Sequence, residues 1–174
     1  PVQPNPAPSG PAAAGPPEGG SAWGAPEGES GQPLPARRPM SGGARSAYQA
    51  GLDASRAGDD TAAKGQFERA LAADPSAYKA AYNLGVIADR AGQTNKAQQY
   101  YRDALRMQPD YERAVQGMVN IFVRSGSVHD AVAFVAPIAQ RYERNLALQA
   151  IYSDVLALAD RLDEAEATAR TALR

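Results

Sequence analysis

Four alanines at a constant 34-residue spacing constrain the fold of this chain more than any other feature. They are Ala63, Ala97, Ala131 and Ala165. A period of this length is enough for two short antiparallel helices and too short for a unit with a core of its own. Each unit must therefore bury its apolar face against the next unit, and the chain is predicted to be a linear stack.

Other positions keep the same period and indicate how the helices pack. They are Gly58, Gly92 and Gly126; Ala70, Ala104 and Ala172; Leu71, Leu105 and Leu173; Phe67 and Tyr101; Pro75 and Pro109. A small residue allows two helix backbones to approach each other, and the larger apolar residue four places later fills the space beside them. The pattern is that of packed helices and not that of a catalytic motif.

Local chemistry predicts helices and their ends independently of the period. Residues 44–57 and 78–91 are rich in Ala, Leu and Arg and contain no Pro, which favours helix over strand. Three times an Arg is followed two residues later by a Gly, which is typical of a helix end because the cation suits the last turn and Gly accepts a left-handed backbone. The side chains predicted to cap the first helices of the second, third and fourth units are Ser76, Asp110 and Asn145.

This register resembles that of the tetratricopeptide-repeat family. The matching residues are the small pair Gly51 and Gly85, then Ala63, Phe67, Ala70, Leu71 and Pro75 in the first unit and Ala97, Tyr101, Ala104, Leu105 and Pro109 in the second. The resemblance implies an all-α fold, a right-handed superhelical solenoid of about 3.5–4 antiparallel helix pairs with a concave peptide-binding groove. We expect a repeat domain over 44–174, with units 44–77, 78–111, 112–145 and 146–174.

The last two units depart from this pattern. The third is degenerate, since it carries Ile138, Ala139 and Glu143 where the first two units carry Ala, Leu and Pro. It also places Pro137 inside its second helix, where a proline costs about 3 kcal/mol, so we expect a kink or an early break there. Such a bend is either drift in one repeat or a change that reshapes the groove. The fourth unit is expected to be incomplete, because it reaches Arg174 without a closing turn.

Residues 1–43 have a different composition and are predicted to form a separate segment. Pro and Gly make up nearly half of them, and almost no aliphatic side chain is available for a core. We therefore expect a disordered Pro/Gly/Ala-rich tether, of the kind that commonly links a membrane anchor or another domain to a folded module. Trp23 and the stretch 34–39, which contains Arg37 and Arg38, are either docking motifs or incidental residues.

The composition argues against several classes of function. The chain has no cysteine, which excludes disulfides and thiolate chemistry. His129, the only histidine, has beside it Ser127 and Asp130 in a predicted turn, without the partners that a metal site or a catalytic triad needs. The repeats carry 16 basic and 16 acidic residues, too even a balance for a nucleic-acid surface, and no apolar run is long enough to span a bilayer. We expect no catalysis, no cofactor, no metal and no nucleic-acid partner.

By the resemblance, the first helix of each unit lines the groove that receives a partner. The residues at the matching positions are Tyr48, Leu52, Ser55, Tyr82, Val86, Asp89, Gln116, Asn120, Val123 and Asp154. Rings and aliphatic chains supply buried area, and amides pair with a peptide backbone. Two basic ladders at the repeat period flank them, Arg45, Lys79 and Arg113, then Arg56, Arg90 and Arg124. A protein or peptide with acidic residues flanking apolar anchors would fit this surface.

Two of these assignments have structural alternatives. The second arginine ladder also suits end-of-helix cations, and Tyr48 and Tyr82 also suit packing between adjacent helices. Family members that bind chaperone C-termini carry a clamp of Lys and Asn at positions that are Tyr48, Leu52, Tyr82 and Val86 in this chain. Because only Asn120 keeps that chemistry, recognition of a chaperone carboxylate is not expected.

These observations predict a non-catalytic protein–protein interaction scaffold. Heavy use of Ala and Arg with little Lys is typical of a bacterium with a GC-rich genome, and the tether resembles the spacer of envelope lipoproteins. We therefore favour a multiprotein assembly of the bacterial cell envelope, in pilus, secretion or motility machinery, over the cytoplasm. One alternative is the recognition arm of a larger enzyme such as a glycosyltransferase, with its catalytic domain beyond Arg174. Another is self-association through a last repeat that lacks a capping helix.

Overall fold

The computed structural model describes residues 36–172, and this part of the chain contains eight α-helices and no strand. The helices are α1 (Gly42–Arg56), α2 (Asp60–Ala73), α3 (Tyr78–Arg90), α4 (Thr94–Met107), α5 (Glu112–Arg124), α6 (Val128–Arg141), α7 (Leu146–Leu158) and α8 (Leu162–Ala172). The starts of α2, α4, α6 and α8 follow one another at the interval of the alanines, and so do those of α3, α5 and α7. The period of the sequence is therefore the period of the structure. The prediction for Trp23 and most of the predicted tether lie outside the described residues.

The helices form four hairpins that stack in chain order. Three residues separate the two helices of each hairpin, so the pair must run antiparallel. Successive first helices also contact each other directly, α3 with α5 and α5 with α7, and do so more extensively than any successive second helices in the described part of the chain. The stack therefore curves with its first helices on the inner, concave side. None of the helices in residues 36–172 is long and apolar enough to cross a bilayer.

Within each of the first two hairpins, an aromatic ring of the second helix packs against a glycine of the first helix. A Cβ atom on Gly51 would lie 2.6 Å from Cε1 of Phe67, and one on Gly85 would lie 2.5 Å from Cε1 of Tyr101. The Tyr101 ring also closes on Gly117 of the next unit, where a Cβ atom would lie 2.7 Å from its Cζ. Only glycine leaves room for these rings, which explains why the two kinds of residue share one period.

In the degenerate third unit, two residues of medium size pack between the two helices instead. The positions of the glycine and the ring are taken by Val119 and Val135, and both are buried. The early break expected at Pro137 is wrong, because α6 has 14 residues, as many as α2 and α4. Burial of Val135 and Ala139 on either side holds the helix together, and the carbonyl of Ala139 accepts a hydrogen bond of 2.8 Å from Nε2 of Gln149. A kink at this proline stays a prediction.

The turn inside each hairpin requires a left-handed residue. Gly58, Gly92 and Gly126 have φ angles of 78°, 70° and 75°. The fourth hairpin places Asp160 at the same position, with φ 59°, the one non-glycine residue with positive φ among those described. This conformation is strained for an L-residue, although Asp tolerates it better than most.

One of the three predicted helix caps is confirmed. The side chain of Asn145 accepts a hydrogen bond of 3.2 Å from the backbone N–H of Leu148 at the start of α7. The predictions for Ser76 and Asp110 are wrong. Helices α3 and α5 are preceded by Ala77 and Tyr111, which give no side-chain cap, because the hydroxyl of Ser76 donates to Asp74 (2.7 Å) and Asp110 accepts from Gln108 (2.6 Å).

The residues before α1 run along the turns between hairpins. The backbone N–H of Ser41 donates to the carboxylate of Asp74 at 2.9 Å, and the guanidinium of Arg37 forms an ion pair of 3.2 Å with Glu112 at the start of α5. These contacts link the residues before the first helix to the third unit.

Candidate functional site

All ten residues predicted for the groove lie on α1, α3, α5 and α7, the helices of the concave side. Eight of them are half-buried, while Asn120 and Asp154 are exposed. Leu52 and Val86 pack against the hydrophobic core, and Ser55 lies half-buried in the last turn of α1. A mixture of partly buried apolar side chains and exposed polar ones is typical of protein–protein interfaces.

Tyr48 contributes both to packing and to the groove. Its ring lies 5.7 Å from the ring of Phe67, measured between centroids. Its hydroxyl oxygen accepts a hydrogen bond of 3.4 Å from Nδ2 of Asn83 on α3. The ring is therefore fixed by the first two hairpins while its edge stays accessible.

Tyr82 occupies the corresponding place one unit later and is part of an aromatic group. Its ring centroid lies 5.8 Å from that of Tyr101 and 5.5 Å from that of Tyr111, the second in an edge-to-face arrangement. Burial raises the pKa of the Tyr82 hydroxyl, and the positive charge of Arg113 opposes that rise. The two tyrosines thus pack between helices, as one alternative held, and remain half-exposed to the groove.

The arginines at the ends of the first helices are paired with carboxylates. The ion pairs are Arg56 with Asp53 (2.7 Å), Arg90 with Asp60 (2.5 Å) and Arg124 with both carboxylate oxygens of Asp89. Since these arginines are largely exposed, each pair is worth about 0–1 kcal/mol. The pairs favour a structural role for this ladder, because its charge is locally balanced.

The other basic ladder keeps more of its charge for a partner. The guanidinium of Arg45 donates to the carbonyl of Met40 at 3.2 Å. The ammonium of Lys79 lies 5.9 Å from the ring centroid of Tyr78. Arg113 forms no ion pair with any residue in 36–172. The row of side chains near the starts of α1, α3 and α5 is therefore basic.

A pocket of about 460 Å³ lies between α5 and α7 on the concave face. Its walls are Gln116, Val119, Asn120, Val123, Arg124, Ile151, Asp154, Val155 and Leu158. Four of the ten groove residues predicted from the sequence therefore share one cavity. Within it, Nε2 of Gln116 donates a hydrogen bond of 2.9 Å to Oδ1 of Asn120, so the two amides are held in a fixed orientation.

Sequence reasoning missed four apolar residues of this pocket, namely Val119, Ile151, Val155 and Leu158. The period carried a signal for the last of them. Leu158 stands one repeat after Arg124, at a position where the three earlier units all have arginine, and 59% of it is exposed. A large apolar residue in place of a charged one marks a change in the surface chemistry of the groove.

Potential metal ligands and the single histidine are spread over the described residues. No group of three or more His, Cys, Asp or Glu side chains that could hold a metal ion occurs within residues 36–172. His129 is exposed in the first turn of α6, which belongs to a second helix, away from the concave row. The site itself consists of apolar walls, amides and a few charges.

Comparison with known families identifies the architecture. The sequence model of the tetratricopeptide repeat matches residues 48–114, which contain the tyrosines of the groove and the first two aromatic–glycine pairs. Residues 48–114 are therefore tetratricopeptide repeats in sequence. No curated protein matches it significantly in sequence.

Solved structures of tetratricopeptide-repeat proteins share its fold. A thermophilic one from Thermus thermophilus is 23% identical with a TM-score of 0.55, over 75% of this chain and 73% of that one. YrrB, described as having an unusual peptide-binding site, is 18% identical with a TM-score of 0.54, over 72% and 65%. The O-GlcNAc transferase of Thermobaculum terrenum is 18% identical with a TM-score of 0.53, over 70% of this chain and 23% of that one. The predicted all-α right-handed solenoid of helix pairs is confirmed.

Proposed function

We propose that this protein is a non-catalytic scaffold that binds a peptide, or an extended segment of a partner protein, in its concave groove. The observation that carries the proposal is the pocket between α5 and α7, where apolar walls surround the amide pair Gln116 and Asn120. A site of this kind buries an apolar side chain and offers hydrogen bonds to the backbone beside it. We propose that residues 44–174 act together as the binding domain.

Two further observations support peptide binding. The groove continues from the pocket along α3 and α1 through half-buried side chains, among them Tyr82 and Tyr48. Aromatic rings that are already fixed by packing provide contact area at little entropic cost. The likeness in fold to YrrB, a protein with a peptide-binding site, agrees with this use of the surface.

Photo-cross-linking tests the proposal directly. A photoreactive amino acid is placed at Asn120, exposed on the concave face, and in a matched variant at Gln140, exposed on α6. We expect the Asn120 variant alone to yield a specific adduct in extracts of the source cells.

The double substitution Tyr82→Ala and Asn120→Ala should weaken binding of the captured partner about tenfold or more while leaving the far-UV circular dichroism unchanged. Equal adducts from both positions, or an unchanged affinity, would move the binding surface elsewhere.

For the setting of this scaffold we propose a multiprotein assembly of the bacterial cell envelope, such as pilus, secretion or motility machinery. The Ala- and Arg-rich composition and the Pro/Gly/Ala-rich residues 1–43 support it. Cell fractionation followed by identification of the cross-linked partner tests it, and a partner confined to the cytosol would contradict it.

A second candidate is the recognition arm of a larger enzyme. The likeness to the O-GlcNAc transferase favours it, since this chain matches 23% of that protein. The coding sequence beyond Arg174 separates the two candidates. A long α/β pattern there would support the enzyme arm, whereas further repeats or a stop codon would support the scaffold.

A further inference from the structure

The inner face of α7 has lost the long side chains that the earlier units place there. Relative to the positions one repeat earlier, the replacements are Ala147 for Arg113, Ala150 for Gln116, Ala157 for Val123 and Leu158 for Arg124. All four α7 residues are exposed. Two of these changes replace a long polar side chain by a methyl group, and a third, Leu158, places an apolar side chain in the wall of the pocket.

The one charged residue on this shortened face is Asp154, which stands where the third unit has Asn120. It is exposed, and no cation in residues 36–172 lies within ion-pairing distance of it. Arg124 is the one cation among the residues that line the pocket. Both of its terminal nitrogens are engaged by the two carboxylate oxygens of Asp89. The pocket therefore presents a carboxylate whose charge is not neutralised by its surroundings.

We infer that the pocket between α5 and α7 receives a basic side chain of a partner peptide, arginine or lysine, adjacent to an apolar residue. The apolar residue packs on Val119, Ile151 and Val155, and the cation pairs with Asp154. The Gln116 and Asn120 amides pair with the peptide backbone between them. This inference rests on the proposed function of the groove and specifies its partner at this end.

Charge complementarity distinguishes this partner from the acid-flanked one expected from the sequence alone. The arginine that would attract an acidic residue here is held by Asp89, so an acidic peptide must break that pair before it gains a new one. A basic peptide pairs with Asp154 without breaking any contact. Acidic flanks suit the row of basic residues near the starts of α1, α3 and α5, where Arg113 has no ion pair within the described residues.

Selection from a random peptide display library against the immobilised full chain tests the inference. We expect enrichment of peptides with Arg or Lys within two residues of Leu, Ile, Val, Met or Phe. Affinities of the strongest selected peptide are then measured by titration calorimetry. The substitution Asp154→Asn should weaken binding roughly 5- to 30-fold, and Asp154→Arg more. The matched control Asp130→Asn, which removes an exposed carboxylate from α6, should leave the affinity unchanged.

A double-mutant cycle makes the assignment specific. Replacing the basic residue of the peptide by glutamine should cost the same factor against the wild-type chain and nothing further against Asp154→Asn. Enrichment of acidic peptides, or equal binding by the wild type and Asp154→Asn, would refute the basic partner. If the affinity then still depends on Tyr82 and Asn120, groove binding stands. If no peptide is enriched, or if those two residues have no effect, the proposed function fails as well.

Discussion

In the first hairpin, the ring of Phe67 packs against Gly51. Redistributing side-chain volume between these two positions tests whether that contact stabilises the repeat. The double variant Gly51→Val, Phe67→Val reproduces the pair that the third unit uses at the same places, Val119 and Val135. We expect each single substitution to be strongly destabilising and the double variant to recover most of the lost stability.

The magnitudes follow from the geometry. Phe67 is fully buried, and shortening it to Val removes four carbon atoms, which costs about 3 kcal/mol before any cavity term. The Gly51→Val substitution adds a Cβ atom whose position lies 2.6 Å from the ring, so overpacking should cost about 2 kcal/mol. In the double variant the added valine occupies most of the vacated space, and the cost should fall to about 1–2 kcal/mol. The expected coupling energy is therefore about 3 kcal/mol.

Urea unfolding followed by far-UV circular dichroism measures these differences as shifts of the midpoint, which remain comparable even where repeat proteins unfold in more than one step. Gly65→Val is the matched control, because a Cβ atom on that residue of α2 meets nothing within 4 Å. It should change stability by less than about 0.5 kcal/mol. If the stability losses of the two single substitutions simply add in the double variant, the contact between the ring and the glycine contributes no stability and the packing argument is wrong.

Three further predictions concern a turn, a buried ring and an ion pair. Asp160→Gly should raise the free energy of unfolding by about 0.5–1 kcal/mol in urea titrations, because glycine adopts the positive φ of this turn without strain, whereas Gly126→Ala should lower it by a similar amount. Burial raises the pKa of Tyr101 above its ordinary value of 10.0. The unfolded chain then loses this proton before the folded chain does, so stability should fall above about pH 10, and Tyr101→Phe should make that fall shallower by up to about 1.4 kcal/mol per pH unit in thermal melts. Arg124→Gln should lower the free energy of unfolding by less than about 1 kcal/mol in thermal melts, since its ion pair with Asp89 is exposed. A larger loss would show that the pair stabilises the fold.

The glycine and aromatic positions were predictable because packing of identical units leaves a periodic trace. The same counting could have found Asp160, which stands one repeat after Gly126, and Leu158, which stands one repeat after Arg124. The failed caps have a different cause. Ser76 and Asp110 are good capping residues in isolation, yet each finds a partner within its own turn, and that competition is decided by the local backbone path. Pro137 failed as a helix breaker because burial on both sides of it outweighs the lost hydrogen bond.

The amino-acid sequence alone determined the period, the number of hairpins in the described part and the helices that carry the groove. It could do so because every unit must present the same small and large residues to its neighbours if their backbones are to approach. Only the tertiary structure decided which side chains share a cavity and which charges remain available. Those properties depend on contacts between different units, such as Arg124 with Asp89 or α5 with α7, and the distance between two units depends on all the side chains packed between them.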